Sequence, residues 1–442
     1  MECLTLIMAG ARGSGLGALT ADRARAGLAL GGAYRVIDIV LSNCANAPLG
    51  DVGVITQYGH SGLAAYIGGG AQWARAATGD GAGEALGAKA AAMDEDGPGA
   101  GGYDITILPP KVEYGRQAYY TGEADALIKN LGFIEGRAPR YVLVLTAGPI
   151  YRMDYRKLLQ AHSKSGAAAT VAVAPTAMTD AAPYDAVHVD KDGRLIGYRD
   201  RPQRPKSGLA AMGAYLFDWP ALRRHLLWGS ADAQSGTDIG RDLVARMLTM
   251  GESIAAYRHD GYWHDAGSIY GYWEAHMDML SSAPAFSLHD DKWPLIGGTG
   301  AKAAYYQRYI AGACRITNAI VAQGCRVRGE VRASVVSAGA LIGEGATVTR
   351  SVVMPGARIG KDAVVRGAII GEGAVVGAGV VVDGAVPGVV PGVWPGSVRG
   401  FVPSGLPDGV GSGVPGAVRA EYHRGVVAYT QASASEQEPL GA

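Results

Sequence analysis

An aliphatic repeat in the last third of the chain constrains the fold more than any other feature of the sequence. Aliphatic residues recur at a six-residue step that shortens to five at two places, with small residues in between. The leaders are Ile342, Val348, Val353, Ile359, Val365, Ile370, Val376 and Val382. Such repeats are typical of a β-helix, in which each repeat forms one flat side of a coil. Chance periodicity in a Val- and Gly-rich stretch is the alternative, and eight leaders in register disfavour it. We therefore predict a hexapeptide-repeat β-helix over residues 312–386, a fold that often packs against neighbours in oligomers.

The first half of the chain alternates apolar runs with helical patterns. The apolar runs lie at residues 52–58, 141–147 and 169–175. Residues 153–166, between the last two runs, have helical spacing and end in glycine. This alternation is typical of a mostly parallel sheet covered by helices on both faces. We therefore predict an α/β domain over residues 1–285, joined to the coil by a linker at 286–311.

Two other stretches lack the pattern of a packed core. Residues 76–102 are small, polar and aperiodic, which indicates a flexible excursion near the site or an ordinary disordered surface loop. From residue 387 proline and glycine recur every few residues, and proline sustains neither a helix nor a central strand. We expect residues 387–442 to form a largely irregular tail with a disordered end.

Composition argues against several classes of partner. Lys and Arg total 40, and Asp and Glu total 40, so the net charge points to no nucleic acid and no anionic membrane. The sequence has no apolar run of about 18 residues and no signal-peptide pattern. Its 4 cysteines are too scattered for a zinc cluster or a disulfide framework. We therefore expect a cytoplasmic protein with neither a nucleic-acid nor a membrane partner.

A glycine-rich segment follows the first apolar run of the chain, which lies at residues 3–7. The segment reads MAGARGSGL at residues 8–16. Ligands of open α/β sheets bind at the carboxyl ends of the strands, where such a loop can hold phosphate groups. Taken alone, the segment is explained equally well by an ordinary strand-to-helix turn. The candidate nucleotide contacts in it are Gly10, Ala11, Gly13 and Ser14.

Several longer strings resemble bacterial ADP-glucose pyrophosphorylase, also called glucose-1-phosphate adenylyltransferase. They include GGAYRVIDIVLSNCANA (31–47), YYTGEADAL (119–127), GYWHDAGSIYGYWEAHMDML (261–280) and HDDKWPL (289–295). The resemblance covers roughly residues 2–386. It implies a nucleotidyltransferase-type, Rossmann-like mixed sheet domain followed by a C-terminal left-handed parallel β-helix. It also implies a reaction of glycogen synthesis in which ATP and glucose 1-phosphate give ADP-glucose and pyrophosphate, with Mg²⁺ as cofactor and an oligomeric assembly.

The resemblance also shows which parts of the phosphate loop have changed. Gly15 stands where the family has an arginine, and Ala11 replaces the second of two adjacent glycines. Without the arginine side chain at residue 15, the loop lacks a guanidinium that could donate two hydrogen bonds to the triphosphate. Arg12 could substitute from three residues earlier, and Arg25 keeps a charge where the family has lysine. Arg12 and Arg25 are therefore the candidate catalytic cations.

The metal site that the resemblance implies is also incomplete. Gly148 stands where the family has an aspartate that binds magnesium, and Asp265 stands at the place of the second ligand. Through one carboxylate and the substrate phosphates, Mg²⁺ would be held weakly or not at all. Trp263 and His264 flank Asp265, and packing explains them more readily than a direct role.

The remaining site residues follow from the resemblance in the same way. Gly122 and Asp125 would contact the nucleotide, and Glu123 between them replaces a threonine with a negative charge. The candidate sugar-phosphate contacts are Asp185, Asp200, Arg201 and Ala211. The added carboxylates oppose the binding of a polyanion.

Three functions are open on the sequence alone. The first is a catalytically impaired subunit, regulatory or structural in a homo- or hetero-oligomer with an active relative, which binds ATP, ADP-glucose or glucose 1-phosphate without turnover. The second is an active adenylyltransferase that uses Arg12, Arg25, Arg201 and Asp265 in altered roles. The third is a sugar-phosphate or nucleotide sensor or scaffold that is not an enzyme. The first is favoured because the changes concentrate at the site while the core patterns persist.

Overall fold

The computed structural model of the protein describes most of both regions. The described residues are 2–73, 104–113, 116–117, 119–176, 184–202, 207–231, 237–298, 309–310 and 314–383, with the strands Gly392–Val393, Val418–His423 and Val426–Gln431 beyond them. The excursion expected at 76–102 and the disordered end expected after residue 431 lie outside the described residues.

Nine strands form one mixed sheet in the first domain. Seven of them run in the spatial order Leu195–Arg199, Ala186–Val189, Leu209–Asp218, Tyr141–Thr146, Cys3–Met8, Val52–Ile55 and Ile105–Leu108. Ala169–Pro175 pairs antiparallel with Leu209–Asp218 and parallel with Ile254–Arg258. Cys3–Met8 lies inside the sheet and is parallel to both of its neighbours. The predicted Rossmann-like mixed sheet is confirmed.

The strand Cys3–Met8 shows why this sheet needs cover on both faces. Every residue of the strand is buried, and successive side chains point to opposite faces. Leu4 and Leu6 pack into one apolar cluster, whereas Cys3 and Ile7 pack into another. A nearly continuous apolar run is therefore what a central parallel strand requires.

Helices cover the two faces of the sheet. They are Val36–Asn46, His60–Ile67, Glu123–Lys129, Leu131–Arg137, Tyr155–Ser165, Trp219–Ala231, Ala245–Thr249 and Ile269–Asp278, with the tighter or wider turns Ser14–Thr20, Arg25–Gly27 and Ile239–Val244. The helix predicted within 153–166 begins after Asp154, whose carboxylate accepts a hydrogen bond from the Arg156 amide, and ends at Gly166, where φ is 61°. None of the helices in the described part of the chain is long and apolar enough to cross a bilayer.

Short strand pairs complete the first domain. They are Ala29–Leu30 with Tyr34–Arg35, Val112–Glu113 with Arg116–Gln117, and Pro149–Tyr151 with Trp263–Asp265. The last pair forms a separate two-stranded sheet, and Pro149–Tyr151 follows Tyr141–Thr146 in the chain after two residues.

Three parallel sheets form the three sides of the predicted left-handed β-helix. The first holds Tyr309–Ile310, Arg326–Val327, Leu341–Ile342, Arg358–Ile359 and Val375–Val376. The second holds Arg315–Thr317, Glu330–Arg332, Thr347–Thr349, Val364–Arg366 and Val381–Asp383. The third begins with Ile320–Val321, Val335–Val336, Val352–Val353, Ile369–Ile370 and Gly392–Val393. The β-helix prediction is confirmed.

The register of the coil explains the irregular step of the repeat. Ile342 pairs with Ile359, and Ile359 pairs with Val376, so each full turn returns to the same side. Two steps of six and one of five make up that turn. All eight leaders are buried in one apolar cluster, which is the core of the coil.

The ends of the coil differ from the predicted domain bounds. Tyr309–Ile310 pairs with Arg326–Val327 before residue 312, and Gly392–Val393 pairs with Ile369–Ile370 after residue 386. In the region predicted to be an irregular tail, Val418–His423 and Val426–Gln431 form an antiparallel pair. The prediction weighed the proline and glycine of the preceding residues and missed this pair, whose Val and Tyr residues favour strands.

The two domains share a packed junction. The indole Nε1 of Trp273 donates to the carbonyl of Arg350 at 2.8 Å, and the Ala338 amide donates to the carbonyl of Gly32 at 3.1 Å. One apolar cluster contains Leu28, Leu30 and Trp273 of the first domain with Val352, Met354 and Ile369 of the coil. The coil is therefore fixed against the sheet domain next to the Arg25 segment.

Candidate active site

The candidate site lies at the edge of the sheet where the central parallel strands end. Met8 is in register with Ile55 on one side and with Thr146 on the other. The segments that follow these strands therefore leave the sheet at one edge, as the carboxyl ends of parallel strands must. This register brings the glycine-rich loop close to Gln57 and Gly148.

The loop after the first strand has the shape of a tight turn. Gly13 has a φ of 76°, a left-handed conformation that glycine adopts without strain, and its carbonyl accepts a hydrogen bond from the Leu16 amide at 3.0 Å. A Cβ at Gly10 would lie 2.9 Å from the Cβ of Gln57. Ala11 and Ser14 are exposed. Backbone amides in such a loop can donate to phosphate oxygens.

Arg12 and Gly15, the two loop residues in the argument on catalysis, have different surroundings. Arg12 is exposed, and its guanidinium lies 5.2 Å from the centre of the Tyr58 ring. Gly15 is exposed and lies close to the backbone of Gly267, because a Cβ at residue 15 would lie 2.5 Å from the carbonyl oxygen of Gly267. A side chain at residue 15 would therefore require one of these two backbone segments to shift.

Arg25 reaches the centre of the site. Its backbone amide donates to the carbonyl of Ala11 at 3.1 Å, which ties the Arg25–Gly27 turn to the glycine-rich loop. Its guanidinium Nη1 lies 3.4 Å from Oδ1 of Asp265, and the arginine side chain is only 14% exposed. The Arg25 Nε atom is buried without a hydrogen-bond partner within the described residues.

Gly148 and Asp265 meet through a strand pair. Asp265 is in register with Pro149, the residue that follows Gly148. A Cβ at Gly148 would overlap the guanidinium of Arg25. Arg25 thus occupies the space that any side chain at residue 148 would need.

Mg²⁺ does not fit the residues around Asp265 in this arrangement. Magnesium prefers carboxylate and phosphate oxygens in a nearly octahedral geometry, whereas the nearest side chain to Asp265 across the site is a cation. The residues that the structure describes hold no group of three or more His, Cys, Asp and Glu side chains placed to hold a metal.

A second set of carboxylates lies next to Arg25. Burial, followed by the negative charge of Asp238, raises the pKa of Glu123 to about 7, whereas Arg25 opposes the shift. Asp185 contributes a smaller repulsion. The threonine-to-glutamate change noted in the sequence therefore adds a carboxyl group to the core of the site.

The predicted sugar-phosphate residues are partly assembled. Asp185 accepts a hydrogen bond from the Tyr198 hydroxyl at 2.8 Å, and its backbone carbonyl accepts one from the Ala211 amide at 2.9 Å. Burial, with the neighbouring Asp200, raises the pKa of Asp185 to about 6. Arg201 is exposed, with its Nε 4.0 Å from Asp200.

Arg241 is a residue of this region that the sequence analysis missed. Its Nη1 lies 3.2 Å from Asp200, and its Nε lies 3.1 Å from Asp242. In the sequence Arg241 precedes Asp242 in a helical stretch and has the pattern of an ordinary surface pair. Only the packing of Ile239–Val244 near the strand Leu195–Arg199 brings it to Asp200.

The predicted nucleotide residues Gly122 and Asp125 have structural partners. A Cβ at Gly122 would overlap Thr237. Asp125 accepts a hydrogen bond from the Thr121 amide at 2.8 Å and pairs with Lys129 at 2.9 Å, which stabilises the start of the Glu123–Lys129 helix. Their role towards a nucleotide stays a prediction.

The neighbours of Asp265 contact other groups. His264 Nε2 lies 2.9 Å from the carbonyl of Gly271, and the Trp263 indole Nε1 donates to the carbonyl of Met212 at 3.4 Å. These contacts agree with the packing roles that the sequence favoured for both residues.

The first domain has a mixed sheet with a glycine-rich loop at its carboxyl edge, and a hexapeptide coil packs against this domain. Together these features define a nucleotidyltransferase with a β-helical domain. A model of the nucleotidyl transferase family matches residues 4–282, and a model of the GlmU-like C-terminal hexapeptide matches residues 301–385.

Known relatives narrow the class to one family. The chain is 35% identical over 350 residues to a glucose-1-phosphate adenylyltransferase of Acetivibrio thermocellus, covering 79% of this chain and 76% of the relative. It is 34% identical over 350 residues to that of Desulforamulus reducens, covering 79% and 81%, and 35% identical over 345 residues to that of Thermosipho africanus, covering 78% and 77%. The chain belongs to the glucose-1-phosphate adenylyltransferase family, as the resemblance implied.

Proposed function

We propose that the protein is a catalytically impaired subunit of an ADP-glucose pyrophosphorylase assembly in storage-glucan synthesis. The active members of such an assembly would join ATP and glucose 1-phosphate into ADP-glucose and pyrophosphate. This chain would bind sugar phosphate or nucleotide with little or no turnover, need Mg²⁺ weakly or not at all, and act as a regulatory or structural partner.

The closure of the site around its two missing side chains carries this proposal. Arg25 fills the space beside Gly148, and the carbonyl of Gly267 lies against Gly15. Adenylyl transfer needs preorganised cations on the phosphates, and the loss of one such donor typically costs about 3 kcal/mol, or roughly 10²–10³ in rate. Other groups therefore occupy the space beside residue 148 and the space against residue 15.

The charge around the site supports the same proposal. The Glu123 carboxyl interacts with Arg25 and with Asp185, Asp185 has Asp200 as a neighbour, and Arg201 is exposed. Carboxylates at this place repel a triphosphate or a sugar phosphate. A subunit that acts through assembly tolerates a site that repels phosphate groups, whereas an efficient adenylyltransferase does not.

An intact coil and junction support a structural or regulatory role. The buried leaders of the coil and the Trp273 junction are fully packed. A hexapeptide coil presents flat, regular sides that can pack against another chain. We therefore propose a homo-oligomer or a hetero-oligomer with an active family subunit.

The second candidate is an active adenylyltransferase with altered ligands. The exposure of Arg12 beside the phosphate loop favours it, because that guanidinium is free to contact a triphosphate. A sensor or scaffold outside glucan synthesis is the third, and it predicts that no pyrophosphorylase subunit co-purifies with the chain.

Pyrophosphate release distinguishes these functions. The purified chain is assayed with ATP, glucose 1-phosphate and Mg²⁺, alone and mixed with an active family subunit. We expect background release from the chain alone and a changed rate or effector response in the mixture. Ordinary turnover by the chain alone would show that it is an enzyme, and an unchanged mixture would leave the sensor or scaffold as the better account.

A further inference from the structure

Two glycines make room for one ion pair at the centre of the site. A Cβ at Gly148 would overlap the Arg25 guanidinium, and a Cβ at Gly267 would lie 2.9 Å from Arg25 Nη1 and 2.8 Å from Asp265 Oδ2. The pair of Arg25 and Asp265 therefore lies between two positions at which this arrangement leaves no space for a side chain.

We propose that the guanidinium of Arg25 is the resident cation of this site and excludes divalent metal ions from Asp265. This inference deepens the proposed function, in which Mg²⁺ is needed weakly or not at all, and it rests on that function by naming the residue that keeps the metal out. Metal binding tests it separately from turnover and from regulation of a partner.

The position of Arg25 is fixed by its backbone as well as by its charge. The Arg25 amide donates to the Ala11 carbonyl, and the Arg25 carbonyl accepts a hydrogen bond from the Leu28 amide, both at 3.1 Å. The side chain is 14% exposed, so it cannot swing freely into solvent. A guanidinium held in this way keeps its positive charge beside Asp265 permanently, whereas a metal ion would first have to bind.

Electrostatics explain why this cation would exclude a metal. Oδ1 of Asp265 lies 3.4 Å from Nη1 of Arg25, and the charge of Glu123 also interacts with Arg25. A divalent ion at Asp265 would lie a few ångströms from a fixed positive charge, and like charges at that distance repel strongly. Removal of the guanidinium would leave the Asp265 carboxylate without its cationic partner, and carboxylate oxygens are ligands that hard cations prefer.

Binding of Mn²⁺ to the full chain tests the proposal without any assay of activity. The probe is Mn²⁺ alone, followed through the EPR signal of the free ion. Wild type and Arg25→Gln are each compared with the same protein carrying Asp265→Asn, and the measured quantity is the part of the binding that Asp265 supplies. We expect none in wild type and saturable binding in Arg25→Gln.

Further variants make the test independent of one substitution. The double variant Arg25→Gln/Gly148→Asp supplies a second carboxylate, and we expect it to bind Mn²⁺ about tenfold more tightly than Arg25→Gln. Arg25→Lys keeps the charge on a shorter side chain and should bind less than Arg25→Gln. Arg223→Gln is the matched control, because it breaks an exposed arginine–carboxylate pair with Glu135 and should leave Mn²⁺ binding at the wild-type level.

Two results would overturn the proposal. Wild type could bind Mn²⁺ through Asp265, in which case Arg25 does not exclude the metal. Alternatively, Arg25→Gln and Arg25→Lys could fold, as judged by circular dichroism, and still bind none through Asp265, in which case the exclusion has another cause. If no Arg25 variant folds, the comparison of wild type with Asp265→Asn decides, and any Asp265-dependent binding by wild type refutes the proposal.

Discussion

The coil and the candidate site both depend on small residues, but they use them in opposite ways. In the coil, alanine and glycine recur between the aliphatic leaders, and equivalent residues of successive turns stack on one another. At the site, Gly15 and Gly148 leave spaces that groups from other segments fill. A space between repeats is filled by the next copy of the same repeat, whereas the space at Gly148 is filled by Arg25 from elsewhere in the chain.

This difference shows that the two regions depend on their residues in different ways. Each turn of the coil contributes a similar set of contacts with its neighbours, so the stability of the coil is spread over many equivalent positions. The site depends on single side chains at fixed places, and the rest of the core does not need them. The two regions can therefore diverge independently, and three experiments test that independence.

The largest expected effect is the loss of a leader from the core of the coil. Val376 is fully buried, whereas its neighbour Val375 is 37% exposed. Val376→Asp buries an unpaired carboxylate and should cost about 4 kcal/mol or more, as measured by urea unfolding. Val375→Asp is the control and should stay within about 0.5 kcal/mol of wild type. Equal stability of the two variants would contradict the assignment of the inner and outer faces.

An intermediate effect should follow from filling the space at Gly148. Gly148→Ala pushes the Arg25 guanidinium away from Asp265 and should cost about 1–2 kcal/mol in the free energy of unfolding. In the Arg25→Ala background the same substitution should cost nearly nothing, and the difference is the coupling energy of a double-mutant cycle.

Gly132 provides the matched control for that cycle. It lies in the helix Leu131–Arg137, and a Cβ there meets no atom within 4 Å. Gly132→Ala should therefore stabilise the protein by about 0.5–1 kcal/mol through its backbone alone. Equal costs of Gly148→Ala in both backgrounds would mean that Arg25 does not fill the space beside residue 148.

The smallest expected effect is a pH dependence that arises at Glu123. Burial and the charge of Asp238 raise its pKa to about 7, and Asp185 adds to this while Arg25 opposes it. The folded protein holds the proton more strongly than the unfolded chain, so this group lowers the free energy of unfolding as pH rises from about 4 towards 7. Glu123→Gln removes that loss and should gain on the order of 1 kcal/mol relative to wild type between pH 5 and pH 8.

Unfolding curves at pH 5 and pH 8 measure that gain. Glu135→Gln is the control, because Glu135 lies at the surface beside Arg223. If Glu123→Gln kept the full pH dependence of wild type, the ionisation of another group would be the source of that dependence.

The fold could be predicted from the sequence because both domains have repeated patterns of apolar residues. The six-residue step identified the coil, and the run at residues 3–7 identified a buried strand, since each pattern has many positions and tolerates exceptions. The pair of strands at Val418–His423 and Val426–Gln431 was missed because proline and glycine in the preceding residues dominated the interpretation.

The site was predictable only as an inventory of residues. The resemblance placed Arg25, Gly148 and Asp265 near the same edge, and the register of Asp265 with Pro149 agrees with it. The direction of the Arg25 side chain could not be predicted from the sequence. The partners of a side chain depend on which groups the three-dimensional packing brings close to it. The same reason hid the contact of Arg241 with Asp200.

By itself the sequence determined the two domains, the family and the absence of two side chains from the site. Those properties follow from local periodicity and from residue identity, which a linear chain carries directly. Only the tertiary structure decided that Arg25 fills the space at Gly148 and that Gly15 faces the carbonyl of Gly267. Such contacts join segments far apart in the chain, and their geometry arises when the sheet, the short strand pair and the loop pack together.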